Sequence, residues 1–281
     1  MATAGRERSR EQHYAIALAR AFGGALLFAL PLLMTIEMWA LGVTMDRLRQ
    51  AIFMVLVLPL LVGLSSISGF ESTTDWRDDA LDAVVAYAVG FVAAALVLLV
   101  LGVLGPDSSA SEAVGLISLQ AVPASIGALL AKSQFGPSIG DGDDAGLEER
   151  VPGYFGELFV MTVGALFFAF NLAPTEEIVI IAYRMTAWHG VGMILVSIVL
   201  IHAFVYSLEF KGSHDRPEES SFASVLLRFG VAGYAVALLV SAYVLWTFGR
   251  LDGLGAEQTV RAVIVLAFPA AVGAAAARLI L

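Results

Sequence analysis

Two glutamates stand at matched places in long apolar runs, and their setting makes them the first candidates for chemistry. Glu37 closes the segment that begins at Gly24, and Glu177 closes the segment that begins at Gly164. Eight of these fourteen positions are identical at a constant spacing of 140 residues. A carboxylate at membrane depth costs about 2.5–3.5 kcal/mol on insertion scales and is tolerated mainly where it faces a bundle interior or water. The pair therefore suits a cation or proton site. A matched threonine precedes each by two residues (Thr35, Thr175), and the second segment adds Glu176 and Asn171. Carboxylate, hydroxyl and amide oxygens are the donors that hard cations prefer. Two blander readings stay open. If the helices stop near Met34 and Ala173, the glutamates lie at a membrane interface and only cap a helix. Thr35, Thr175 and Asn171 could equally make no more than interhelical hydrogen bonds.

The stretch from Asn171 through Pro174 to Glu177 reads as a helix end followed by a helix start. Proline suits a first helical position, where its missing N–H is unpaired anyway, and acids in the first turn complement the helix dipole. A broken helix or re-entrant corner at Asn171–Pro174 is one reading, and a proline kink is the other. The first segment carries Pro31 instead, and Ile36 where the second has Glu176, so a site built from both is asymmetric.

Other chemistry-bearing residues have simpler roles. His202 lies inside an apolar run, where it relays protons or sits as a neutral, hydrogen-bonded core group. Trp39, Trp188, His189, Tyr243 and Trp246 fall near run ends, as interfacial anchors do. Asp141, Asp143, Asp144, Glu148 and Glu149 miss the calcium-loop spacing, because Ala145 and Pro152 occupy ligand positions. They fit a solvated linker. Pro123 with Gly127, and Pro269 with Gly273, mark small-residue stretches suited to close packing between repeats or in a homo-oligomer. No Walker loop, dinucleotide fingerprint, His-Glu-x-x-His or serine elbow is present. Nothing points to an enzyme or a cofactor, and a net charge of −9 gives no footprint for nucleic acid.

The elements that must position these residues follow from composition. Of 281 residues, 59% are apolar and 15% charged, and the mean hydropathy is +0.84. Lipid is the solvent such a chain fits. Eight spans can be drawn, at about 15–41, 51–69, 81–103, 113–131, 155–182, 189–209, 223–247 and 260–280. A second internal match joins residues 121–132 to residues 267–278, with six of twelve identical. The predicted fold is thus an all-α polytopic bundle of two tandem four-helix repeats: an N-terminal segment 1–14, a repeat over 15–132, an acidic linker 133–154 and a repeat over 155–281. Four spans return the chain to its starting side, so the repeats should be related by a pseudo-two-fold axis along the membrane normal. With a cytoplasmic N-terminus, eleven of the sixteen Lys and Arg residues fall on that side. Both termini are expected there. No cysteine is present to report a redox compartment.

Eight spans, a basic N-terminus and the Asn-Leu-Ala-Pro-Thr-Glu-Glu segment ending at Glu177 together resemble a bacterial family of integral membrane proteins of unknown function. That resemblance implies a multi-pass protein of the bacterial inner membrane and brings no activity with it. The Ala-Pro-Thr-Glu-Glu stretch is also similar to the Asn-Ala-Pro-Glu signature of cation/calcium exchangers, whose inverted repeat this chain lacks. The residues thus suggest a transporter or channel for a monovalent or divalent cation or a proton. The competing expectation is a scaffold, sensor or complex subunit that transports nothing.

Overall fold

The computed structural model describes residues 2–68, 76–135, 153–212 and 226–280, and their regular structure is all helical. The acidic run from Asp141 to Glu149 lies outside the described residues. The chain divides into two compact units, Met1–Asp144 and Ala145–Leu281. The first contains α1 (Ala2–Leu33), α2 (Ile36–Thr44), α3 (Arg47–Ser68), α4 (Trp76–Val100) and α5 (Ala110–Phe135). The second contains α6 (Tyr154–Leu172), α7 (Glu177–Arg184), α8 (Ala187–Gly212), a π-helix (Leu226–Val231) running into α9 (Ala232–Thr247), and α10 (Ala256–Ile280). Among the described residues eight stretches are long and apolar enough to cross a membrane; Ala15–Leu33 of α1 and Tyr154–Leu172 of α6 are among them, and α2 and α7 are not. Apolar side chains such as Leu96, Val100, Val199 and Leu239 are exposed, as a lipid environment permits.

Two expected spans need correction. Residues 15–41 and 155–182 do not each form one helix, because both are interrupted. Proline explains the second interruption, but the first falls at Thr35, whose backbone is extended at φ −106° and ψ 132°. Pro31 stays inside α1. The Thr35 amide and hydroxyl both donate to Leu32 O, at 3.1 and 2.9 Å. Thr175 does the same to Leu172 O, at 3.1 and 2.8 Å. The shared threonine, turning back on its own helix end, marks both interruptions.

In each unit the last helix is central. α5 packs against α1, α2, α3 and α4, and α10 packs against α6, α7, α8 and α9. Ser109 and Glu112 start α5 with a reciprocal capping box: Glu112 N donates to Ser109 Oγ at 3.2 Å and Ser109 N to Glu112 Oε2 at 2.9 Å. The first and last helices meet main chain to main chain. A Cβ on Gly24 would strike Gly127 O, and one on Gly127 would strike Gly24 O; Gly164 and Gly273 stand in the same reciprocal contact. Only glycine allows this approach.

That register gives the depth of the breaks. Gln120 Nε2 reaches Leu32 O at 3.5 Å, and Gln120 lies ten residues into α5, about 15 Å from its start. α1 therefore ends well inside the unit, and α2 climbs obliquely from there until Gly42 meets Leu116. In each unit a short helix, α2 or α7, follows the first membrane-length helix after a break in the main chain.

Gly24→Ala should destabilise the protein by about 1–3 kcal/mol through overpacking. Gly23→Ala meets nothing within 4 Å and should be neutral or mildly stabilising. Thermal unfolding of both variants in one detergent separates the two outcomes; equal midpoints would remove the glycine contact as a determinant.

Candidate functional site

The chemistry-bearing residues gather at the two breaks. In the first unit, α1 ends with carbonyls that α2 cannot use. Leu32 O is taken by Thr35, and Leu33 O accepts the Trp39 indole N–H at 2.8 Å. Trp39, expected as an interfacial anchor, thus holds the break closed from the following helix. Glu37 occupies the first turn of α2 and is half-buried. In the second unit Glu177 opens α7 and Glu176 is its cap, both exposed on their unit. Among the described residues, no hydrogen bond or ion pair engages these three carboxylates. Neither short helix has a side-chain cap at its N-terminus, so amide N–H groups and the positive dipole end face the same region.

The neutral oxygens sit where the sequence placed them. Thr35 and Thr175 commit their hydroxyl protons to the preceding helix end, which leaves their lone pairs outward. Asn171 Nδ2 donates to Phe167 O at 2.7 Å, leaving Oδ1 as acceptor. Each break therefore offers oxygen atoms of several kinds: Thr35 and Glu37 in one unit, and Asn171, Thr175, Glu176 and Glu177 in the other. No group of three or more His, Cys, Asp or Glu with metal-binding geometry occurs among the described residues. Buried His202 lies away from the break, on α8 against Gly230 of the π-helix. Exposed His189 bonds the Thr186 hydroxyl at 2.7 Å at the start of α8.

Sequence reasoning missed the arginines that fasten the short helices. Arg47 Nη1 donates to Gly42 O at 3.1 Å, near the end of α2, and to Gln50 Oε1 at 2.7 Å. Its Nη2 reaches Ser111 O and Oγ on α5, both at 3.3 Å. Buried Gln50 continues the network to Gly115 O and Ser118 Oγ, both at 2.8 Å. In the second unit Arg261 donates to Met185 O, which ends α7, and pairs with Glu257. Arg250 donates to Pro174 O at the break itself. Orphan carbonyls and the negative dipole end make a helix C-terminus a natural seat for a guanidinium.

The two units supply that guanidinium from different helices. At the spacing of 140, Arg47 corresponds to Ala187; at the spacing of 146 set by the second match, Gly115 corresponds to Arg261. A Cβ on Gly115 would run into the Arg47 guanidinium. Arginine on one helix and a small residue on the other is thus exchanged between the units. An alignment of the two halves contains this exchange, but it reads as a pair of mismatches until contacts join them.

Eight membrane-crossing stretches, a lipid-compatible surface and interrupted first spans define a polytopic helical integral membrane protein. Over residues 17–281 the chain matches a family model described as Putative integral membrane protein (DUF2391), and it belongs to that family. No curated protein and no solved structure matches it.

Losing a charged hydrogen bond to a helix end costs about 1.5–3 kcal/mol. Arg47→Met should therefore speed amide exchange in α2 roughly tenfold or more while leaving α7 unchanged, and Arg261→Met should do the reverse. Hydrogen exchange read by mass spectrometry checks both; uniform acceleration across both helices would show that the arginines do not act locally.

Proposed function

We propose that this protein moves a cation, or a cation against protons, across the bacterial inner membrane, using the interrupted first span of each unit as the binding element. The observation that carries the reading is the pairing of a helix break inside the unit with a carboxylate that has no partner among the described residues. A carboxylate within a bilayer is costly unless something positive meets it, and Glu37 is half-buried while Glu177 is exposed on its unit. Discontinuous helices are a common way for transport proteins to expose main-chain and side-chain oxygens to an ion at depth. The nearby arginines are occupied with carbonyls, which leaves Glu37 and Glu177 for a mobile ion. On this reading the units descend from one duplicated ancestor, each carrying its own matched threonine and glutamate.

A second reading, a scaffold or complex subunit that transports nothing, draws on one observation. Arg250 sits on Pro174 O beside the second break, and its charge opposes a cation there. The transport reading accommodates this if the first unit binds the ion more tightly.

Purified protein in proteoliposomes should carry a flux of alkali or alkaline-earth cations that protein-free vesicles lack. Glu37→Gln should reduce that flux by an order of magnitude or more, and Glu177→Gln by less. Robust flux unchanged in both variants would take the carboxylates out of the mechanism. No flux for any cation tested would favour the scaffold.

A further inference from the structure

We infer that a groove on the second unit holds an anionic phospholipid of the surrounding bilayer, with one acyl chain between α8 and α10 and the headgroup at His189 and Trp188. The groove has a volume of about 500 Å³ and is lined by Trp188, His189, Gly192, Met193 and Val196 of α8 and by Phe268 of α10. It does not depend on the transport reading.

Gly192 makes the groove. Trp188, Gly192 and Val196 follow one another at four-residue spacing on one face of α8, and a Cβ on Gly192 would meet nothing within 4 Å. The missing side chain leaves a trough between an indole and a valine, with Phe268 as its wall. From Trp188 to Val196 the trough runs eight residues, or about 12 Å along the helix. One leaflet of hydrocarbon is about 15 Å deep. Those lengths suit a single chain lying along α8 from the headgroup layer inward. Lipid can reach it, because the stretch Ala187–Phe204 is the least buried of the eight and Val196 is 49% exposed.

His189 sets the polarity of the outer end. Its Nδ1 accepts the Thr186 main-chain N–H at 3.3 Å and lies 2.7 Å from the Thr186 hydroxyl. Nδ1 therefore carries a lone pair, and in the neutral ring the proton sits on Nε2. That Nε2–H and the Trp188 indole N–H have no partner among the described residues, and both side chains are exposed. An indole in this position suits the headgroup layer.

The charges nearby favour an anion. Exposed Arg184 ends α7 two residues before Thr186 and has no ion pair among the described residues. The positive end of the α8 dipole adds the same sign. Arg261, seven residues before Phe268 on α10, is already paired with Glu257, and Glu177 stands at the opposite end of α7. No acidic residue occurs from Ile178 to Leu208 or from Gln258 to Leu281. Free N–H donors and an unpaired guanidinium at the end of an apolar trough match a phosphate above an acyl chain, and basic recesses between membrane helices bind anionic headgroups.

The test uses the full chain in a neutral detergent, with phosphatidylglycerol or phosphatidylcholine of the same acyl chains added and retained lipid read by native mass spectrometry. Wild type should retain phosphatidylglycerol saturably and roughly fivefold more tightly than phosphatidylcholine, which is about the worth of one basic residue near an anionic surface. Gly192→Leu fills the trough and should abolish retention of both lipids at concentrations that saturate wild type. Should that variant not fold, Val196→Phe narrows the inner end in its place. Arg184→Gln combined with His189→Ala should remove the preference for phosphatidylglycerol and leave thermal unfolding without lipid unchanged. Equal retention of the two lipids by wild type overturns anionic recognition, and unchanged retention in a folded trough-filling variant overturns the site. If wild type is a dimer that Gly192→Leu makes monomeric with lipid retention unaltered, the groove is a contact between copies and the lipid site falls.

Discussion

Main-chain polar groups in hydrocarbon have no water to turn to, and this constraint governs every unusual feature of the molecule. An unbroken helix satisfies it internally. Interrupting a helix frees several carbonyls and amides at once, and each needs a partner. Here the partners come in a fixed order: the threonine at the break turns back on the helix it ends, an indole covers the next carbonyl in the first unit, and arginines hold the far end of the short helix. Each interruption thus has dedicated groups on the helix end before it and at the C-terminus of the short helix after it.

The glycine crossings make this possible. With Gly24 against Gly127 and Gly164 against Gly273, the first and last helices touch main chain to main chain, which brings the central helix within reach of the break. Widening that crossing by one methyl group would move Gln120 away from Leu32 O and the start of α5 away from Arg47. Packing and polar chemistry are coupled through two pairs of residues that carry no chemistry of their own.

Much of the fold was legible before any coordinates, because hydrophobic runs of span length and repeated small-residue stretches are strong local signals. The breaks were half legible. Pro174 announced the second, since a missing N–H and a cluster of acids are visible in one dimension. The first was open between two readings, and α1 ends at Leu33, next to the Met34 stop that one of them named, with Thr35 turning back through two hydrogen bonds that no propensity scale records. The candidate carboxylates were readable from their matched spacing. Gln120, Gln50 and Arg47 were not, because their roles depend on contacts between residues 64 to 88 positions apart. Arg261 escaped for the opposite reason: its counterpart is a glycine, and only the guanidinium of Arg47 filling that space reveals the equivalence.

The exchange of arginine between helices bears on how the two halves came to differ. A guanidinium at the end of the short helix is retained in both, so the demand it answers is set by the break and not by the local sequence. Once that demand is met from either helix, the remaining positions are free to diverge. The first unit has buried Gln120 beside Leu32 O, where the second has buried Leu266, and the second has Glu176 and sets Arg250 on the Pro174 carbonyl.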